Sequence, residues 1–149
     1  MYIMSESYNT TFDLSRVLEA YSTNSTDLVI PNDYFNRVYS LVLSNNADLK
    51  RITIGNNTFR YVRVFELNGL SELESVVIGK NSFRISDRRS DGSCRIVNCP
   101  KLKSIQIGYI SFGDYRSFEL NNLPSLQSID IGRDCFYYSP LFSLTGLIN

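Results

Sequence analysis

The sequence predicts a mostly-β repeat solenoid, and two recurrences carry that reading. An Ile-Gly pair falls at Ile54-Gly55, Ile78-Gly79, Ile107-Gly108 and Ile131-Gly132, in steps of 24, 29 and 24 residues. A Phe follows at Phe59, Phe83, Phe112 and Phe136 in the same three steps. Two separate markers that share one irregular rhythm indicate copies of one structural unit. A period of this size means stacked coils.

Aligned on these markers, the unit has an eleven-residue core: Leu126-x-x-Ile129-x-Ile131-x-x-Asp134-x-Phe136. The other copies read Leu102…Ile105…Ile107…Ile110…Phe112, Leu73…Val76…Ile78…Asn81…Phe83 and Leu49…Ile52…Ile54…Asn57…Phe59. A fainter copy, Leu28-x-Ile30-x-x-Asp33-x-Phe35, precedes them with Pro31 in place of the Gly and polar Ser25 in place of the first Leu. It is expected to be a terminal capping repeat, with Pro31 ending an edge strand where a missing ladder N–H costs little.

The alternation of apolar positions, as in Ile105 and Ile107, is the period of a half-buried strand. The Asn or Asp place suits a turn, because a short polar side chain can bond its own backbone. Asp33, Asn57, Asn81 and Asp134 are expected to form a ladder beneath the strands, broken at Ile110. The Gly after each strand is expected to end the pleat with a positive φ. A second alternation, Leu41/Leu43, Phe65/Leu67, Cys94/Ile96, Phe118/Leu120 and Phe142/Leu144, reads as a short strand on the opposite side of each coil. Asn98-Cys99-Pro100 and Asn122-Leu123-Pro124 read as return turns. Each coil then buries about five large apolar side chains at roughly 1.5–3 kcal/mol each. Ordering entropy opposes most of that, so the stack is the unit of stability.

The core reads L-x-x-L-x-L-x-x-N-x-L, with Phe last, and in this it resembles the leucine-rich repeat family over about residues 25 to 149. It is most similar to the short Ile-Gly and Phe-containing repeats abundant in single-celled eukaryotes. The resemblance implies a right-handed leucine-rich repeat solenoid with a parallel concave sheet and short convex strands. Its repeats run over about 25–48, 49–72, 73–101, 102–125 and 126–149.

Residues 1–24 lie outside the repeat. Leu14, Val17, Leu18 and Tyr21 have helical spacing behind Asp13 as N-cap, which predicts a short capping helix after a disordered start. The third repeat carries five extra residues around Asp87–Gly92, expected as a surface loop. The last coil meets no polar capping repeat before Asn149, so it is expected to expose apolar surface, to belong to a longer array, or to pair with another copy.

Composition narrows function. Lys plus Arg equals Asp plus Glu at 15 each, which disfavours a nucleic-acid partner. No apolar run is long enough to cross a membrane as a helix, and no basic-apolar leader is visible, which favours a cytoplasmic location. The sequons at Asn9, Asn24 and Asn56 then read as chance. There is no His, so the commonest general base and metal ligand is missing. The glycines stand about a coil apart rather than clustered as a phosphate cradle. Cys94 and Cys99 occupy core places, whereas Cys135 is expected in an exposed turn. The expectation is a protein without catalytic residues, metal or cofactor.

A binding face is the better candidate. By phase, the outward positions of successive strands line up as Asp27, Arg51, Ser75, Ser104, Ser128; Val29, Thr53, Val77, Gln106, Asp130; and Asn32, Asn56, Lys80, Tyr109, Arg133, with Lys50, Glu74, Lys103 and Gln127 as a further row. Tyr109 among Lys80, Lys103 and Arg133 has the composition of an interface hot spot, and Arg51, Gln106 and Asp130 share its face. The expected partner is another protein. Off this face, Arg60, Arg63, Arg84, Arg88, Arg89, Arg95 and Arg116 are interspersed with acidic residues and read as a mixed solvated surface. The rival reading is a fragment of a structural or adhesion array that binds glycans or self-associates through its last coil.

Overall fold

A computed structural model of the chain describes residues 22–24, 26–85 and 91–147. Those residues form a parallel β-solenoid of about five coils, and no helix occurs among them. The expected capping helix over Asp13–Tyr21 lies outside the described residues, as does the tip of the third-repeat insertion at 86–90.

Each coil contributes one strand to each of two sheets. The first sheet runs β1-β2-β4-β6-β8-β10, namely β1 Ser22–Asn24, β2 Asp27–Ile30, β4 Arg51–Ile54, β6 Ser75–Ile78, β8 Ser104–Ile107 and β10 Ser128–Ile131. The second runs β3-β5-β7-β9-β11, namely β3 Ser40–Ser44, β5 Val64–Asn68, β7 Ser93–Val97, β9 Ser117–Asn121 and β11 Leu141–Thr145. All coil-to-coil pairings are parallel and in register, so Ile52 lies beside Val76 and Phe65 beside Cys94. The two alternating patterns thus become two sheets whose inward rows meet in one core. Leu49, Ile52, Phe59, Phe65, Leu67 and their counterparts in the next two coils are fully buried there.

The first coil departs from expectation at its edge. β1 pairs antiparallel with β2, Ser22 opposite Leu28 and Asn24 opposite Asp27, so β2 is not the end of the sheet.

The glycines are corrected more sharply. Gly55, Gly79, Gly108 and Gly132 do not have positive φ. They are required because the coils approach there: a Cβ on Gly108 would stand 2.5 Å from the backbone N of Lys80, and one on Gly132 2.6 Å from that of Tyr109. Left-handed backbone falls instead on the turn residues, Asp33, Asn57, Asn81, Ile110 and Asp134, and two positions later on Phe35, Phe59, Phe83, Phe112 and Phe136. These two left-handed residues turn the chain out of the first sheet and drive the Phe ring inward. The rings stack coil on coil, with centroids 5.5, 5.3, 4.7 and 5.0 Å apart from Phe35 to Phe136.

The Asn ladder also differs from its expected place. It lies along the partly exposed turn edge rather than beneath the strands, and joins Asn57 Nδ2 to Asp33 Oδ1 at 3.0 Å and Asn81 Nδ2 to Asn57 Oδ1 at 2.9 Å. The turn backbone does not depend on it. Each rung's N–H donates to a carbonyl of the next coil, Asn57 to Lys80, Asn81 to Tyr109 and Ile110 to Arg133, each at 3.0 Å. Ile110 is therefore satisfied like its neighbours, and what it lacks is tolerance of its φ of 62°.

A second ladder runs inside the turn. Thr58, Ser82, Ser111 and Cys135 each precede a core Phe and donate to the preceding coil's carbonyl at Pro31, Gly55, Gly79 and Gly108, at 2.9, 2.8, 2.7 and 3.1 Å. Thr58 and Ser82 also donate their backbone N–H to the next hydroxyl up the stack. Cys135 is thus a half-buried member of this column, not an exposed turn residue. Tyr115 is buried too, with its hydroxyl donating to the carbonyl of Val62.

Candidate functional site

The outer face of the six-stranded sheet is built from the positions that alternate with the core row. Register places Asp27, Arg51, Ser75, Ser104 and Ser128 in one column and Val29, Thr53, Val77, Gln106 and Asp130 in the next, as the phase predicted. The third column, Asn32, Asn56, Lys80, Tyr109 and Arg133, follows directly on the stacked Pro31 and glycines. Its lower end is closed on itself. Asn32 Oδ1 accepts from the Asn56 N–H at 2.7 Å, and Asn56 Oδ1 from the Lys80 N–H at 2.9 Å.

The upper end of this column is the candidate site. Tyr109 is 40 % exposed, Lys80 Nζ lies 5.7 Å from its ring centroid, and the Arg133 guanidinium carbon lies 5.9 Å from it. Two cations from the coils below and above thus flank one aromatic ring, each at the range of a cation–π contact. The backbone beneath is fixed by the inter-coil bonds of Asn81 to Tyr109 and Ile110 to Arg133. An exposed ring on a fixed backbone loses little entropy when a partner covers it.

The other predicted residues do not join this cluster. Lys103 precedes β8 whereas Tyr109 follows it, so the length of the strand separates them, and Lys103 Nζ instead lies 3.7 Å from Glu74. Placing it around Tyr109 is corrected by that geometry. Arg51 sits two strands away and is bound to Asp27 at 2.7 Å, a hydrogen bond that raises its pKa. Gln106 and Asp130 are adjacent in the middle column, beside the cluster rather than in it.

Two of the Arg residues off this face, Arg95 and Arg63, are drawn into ion pairs. Arg95 Nε lies 2.7 Å from Glu119, with Glu66 at 3.5 Å from Nη1, in the row Glu66-Arg95-Glu119 of the second sheet. Arg63 meets Asp91 at 3.2 Å. Arg88 and Arg89 lie outside the described residues.

None of the three thiols is activated. Burial pushes the Cys94 thiol well up, and burial likewise raises Cys99 and Cys135. Reactive cysteines need the opposite shift. Cys94 and Cys99 are core side chains, and Cys94 stands in register with Phe65 and Phe118.

The cation–ring geometry of Lys80 and Arg133 was legible only as a column, because the sequence does not set side-chain direction at a turn. The hydroxyl ladder could have been found from its own signal, since the residue before each core Phe from Phe59 onward is Thr, Ser or Cys. No family model, curated protein or solved structure matches the chain.

Proposed function

We propose that the chain is a non-catalytic protein-interaction module of the leucine-rich repeat type. It takes a partner protein on the outer face of the six-stranded sheet, centred on Tyr109. The observation that carries this is the single exposed ring held between Lys80 and Arg133 on a backbone clamped to the coils below and above. Tyr and Arg dominate interface energies when they meet in a desolvated centre. The cations select a partner that brings carboxylates to the rim of the ring, and Val77, Gln106 and Asp130 extend the contact along the next column. The lack of His in the sequence and the raised thiols support the non-catalytic part of the reading.

The test is affinity capture with the intact chain and with a Tyr109→Ala, Arg133→Glu double variant, beside an Arg116→Glu control off the face. A partner retained by the wild type and the control and lost by the double variant supports the reading. A partner retained by all three removes Tyr109 and Arg133 from it.

A further inference from the structure

The fourth coil departs from the repeat at two places, and both line one cleft on the turn edge. Where the other coils carry Asp33, Asn57, Asn81 and Asp134, this coil has Ile110. Where they carry Asn36, Arg60, Arg84 and Tyr137, one residue after the core Phe, it has Gly113. The turn itself is unchanged: the Tyr115 N–H returns to the Phe112 carbonyl at 3.2 Å, as Val62 does to Phe59 at 3.1 Å and Ser139 to Phe136 at 3.0 Å. That backbone does not require the glycine. Its φ is not positive, and a Cβ there would meet only the carbonyl oxygens of Ile110 and Asp134, at 3.6 and 3.8 Å. The missing side chain instead leaves a cleft of about 290 Å³ between Arg84 of the coil below and Tyr137 of the coil above.

Ile110, Asp114, Asp134 and Tyr138 complete the lining. Ile110 gives it an apolar patch, and does so at a φ of 62° that a β-branched residue adopts only under strain. Strain of this kind gathers at ligand sites. Ile110 also leaves Asp134 without a rung beneath it. Among the described residues, neither the Asp134 nor the Asp114 carboxylate takes part in a hydrogen bond or ion pair. Arg84 Nη1 donates to Asn81 Oδ1 at 3.3 Å, which holds the guanidinium and uses one of its five N–H groups. Tyr137 and Tyr138 meet edge to face, with centroids 4.8 Å apart.

We propose that this cleft binds one ring of a neutral sugar. Its carboxylates accept hydrogen bonds and cannot donate, whereas its guanidinium donates and cannot accept. The ligand must therefore bring donors and acceptors together. A cation has no acceptor for Arg84 and is repelled by it. An anion has no donor for Asp114 and Asp134 and is repelled by both. Hydroxyl groups supply donor and acceptor at once, and bonds from them to charged partners are the stronger kind. The C–H face of a sugar ring is apolar with its hydrogens outward, which suits Ile110 and the negative face of a Tyr ring. The backbones of the third and fifth coils stand two strand spacings apart, about 9.5 Å, and the volume is at the lower end for small-molecule sites. The cleft thus takes a single ring rather than an extended chain. It is a second site, and it does not rest on the partner proposed for Tyr109.

The experiment is an NMR amide-shift titration of the full chain with glucose, galactose, mannose and N-acetylglucosamine, each to about 50 mM, since one ring in an open cleft reaches a Kd of only about 1–10 mM. At least one sugar should shift the amides of Ile110–Asp114 and Asp134–Tyr138 and saturate. Gly113→Gln, whose Cβ has room and whose side chain fills the cleft, should raise that Kd by about 10-fold or more at an unchanged urea midpoint. If the midpoint falls, Tyr137→Ala takes its place with the same expected rise. Ile110→Asn should raise the Kd by about 3-fold or more while it relieves the backbone, a loss that a purely structural Ile110 would not produce. No saturable shift with any of the sugars overturns the proposal. A response to tetramethylammonium chloride or sodium phosphate without one to any sugar overturns it too, in favour of a charged ligand. A Kd left unchanged by the cleft variants overturns the location.

Discussion

Replacing Ile110 with Asn should stabilise the protein, although it removes a partly buried apolar side chain. Ile110 holds φ at 62°, a region that costs a residue with a Cβ about 1–2 kcal/mol and is worst for β-branched side chains. Asn tolerates that region, and the four equivalent positions in the other coils are all Asn or Asp. The new amide would also stand one coil above Asn81, whose own Nδ2 reaches Asn57 at 2.9 Å, and a restored rung adds about 0.5–1 kcal/mol. Against this, half-burial of the Ile side chain is worth about 1 kcal/mol. The balance is a gain of about 1 kcal/mol, which raises Tm by about 3 °C in a chain of this size. Urea unfolding followed by circular dichroism would measure it, with an unchanged slope required for the comparison. Ile110→Gly, which relieves the backbone without supplying a rung, should fall below Ile110→Asn. A loss of 1 kcal/mol or more in Ile110→Asn would refute the view that backbone strain, not turn satisfaction, distinguishes this coil.

Gly108→Ala should destabilise by about 3 kcal/mol or more, because its Cβ would stand 2.5 Å from the backbone N of Lys80 and the coils would have to part. Gly69→Ala meets nothing within 4 Å and pays only for its φ of 69°, about 1 kcal/mol; similar losses in the two variants by urea titration would contradict the close-approach account. Alkaline pH should weaken the fold. Burial raises Cys94 and Tyr115 well above their ordinary values of 9.0 and 10.0, so the unfolded chain releases protons that the native one retains. Their stability is fully present below about pH 9 and falls above it by up to about 1.4 kcal/mol per pH unit for each group. Unfolding titrations at pH 7, 9 and 10 check this, and Cys94→Ala should flatten the first part of the decline. Arg51→Ala should leave stability unchanged within the error of urea titration despite its 2.7 Å contact with Asp27, because the pair lies at the surface; a clear loss would give the pair a structural role.

The coil itself was legible because its cause is local and repeated. Ile52/Ile54 and Phe65/Leu67 alternate with period two, and copies at 24 and 29 residues can stack only in register. The glycine column was read correctly as required but for the wrong reason. Its constraint lies in the coil below, at Lys80 and Tyr109, and single-coil reasoning cannot reach it. The Asn positions were recognised as turns, yet the left-handed Phe two residues on carries no compositional mark, because Phe serves the core and its backbone is dictated by the turn. At the face, register delivered the columns, whereas Lys103 was misplaced because a column alignment does not say at which end of a strand a residue stands.

The most direct test of the binding face is the Kd of a captured partner for the wild-type chain and for Tyr109→Ala, measured by titration calorimetry on folded proteins of equal Tm. A ring at the centre of the contact predicts a loss of about 2 kcal/mol, or about 30-fold in Kd, with a smaller loss for Lys80→Ala. An unchanged Kd in Tyr109→Ala would contradict the account and move the interface off this face.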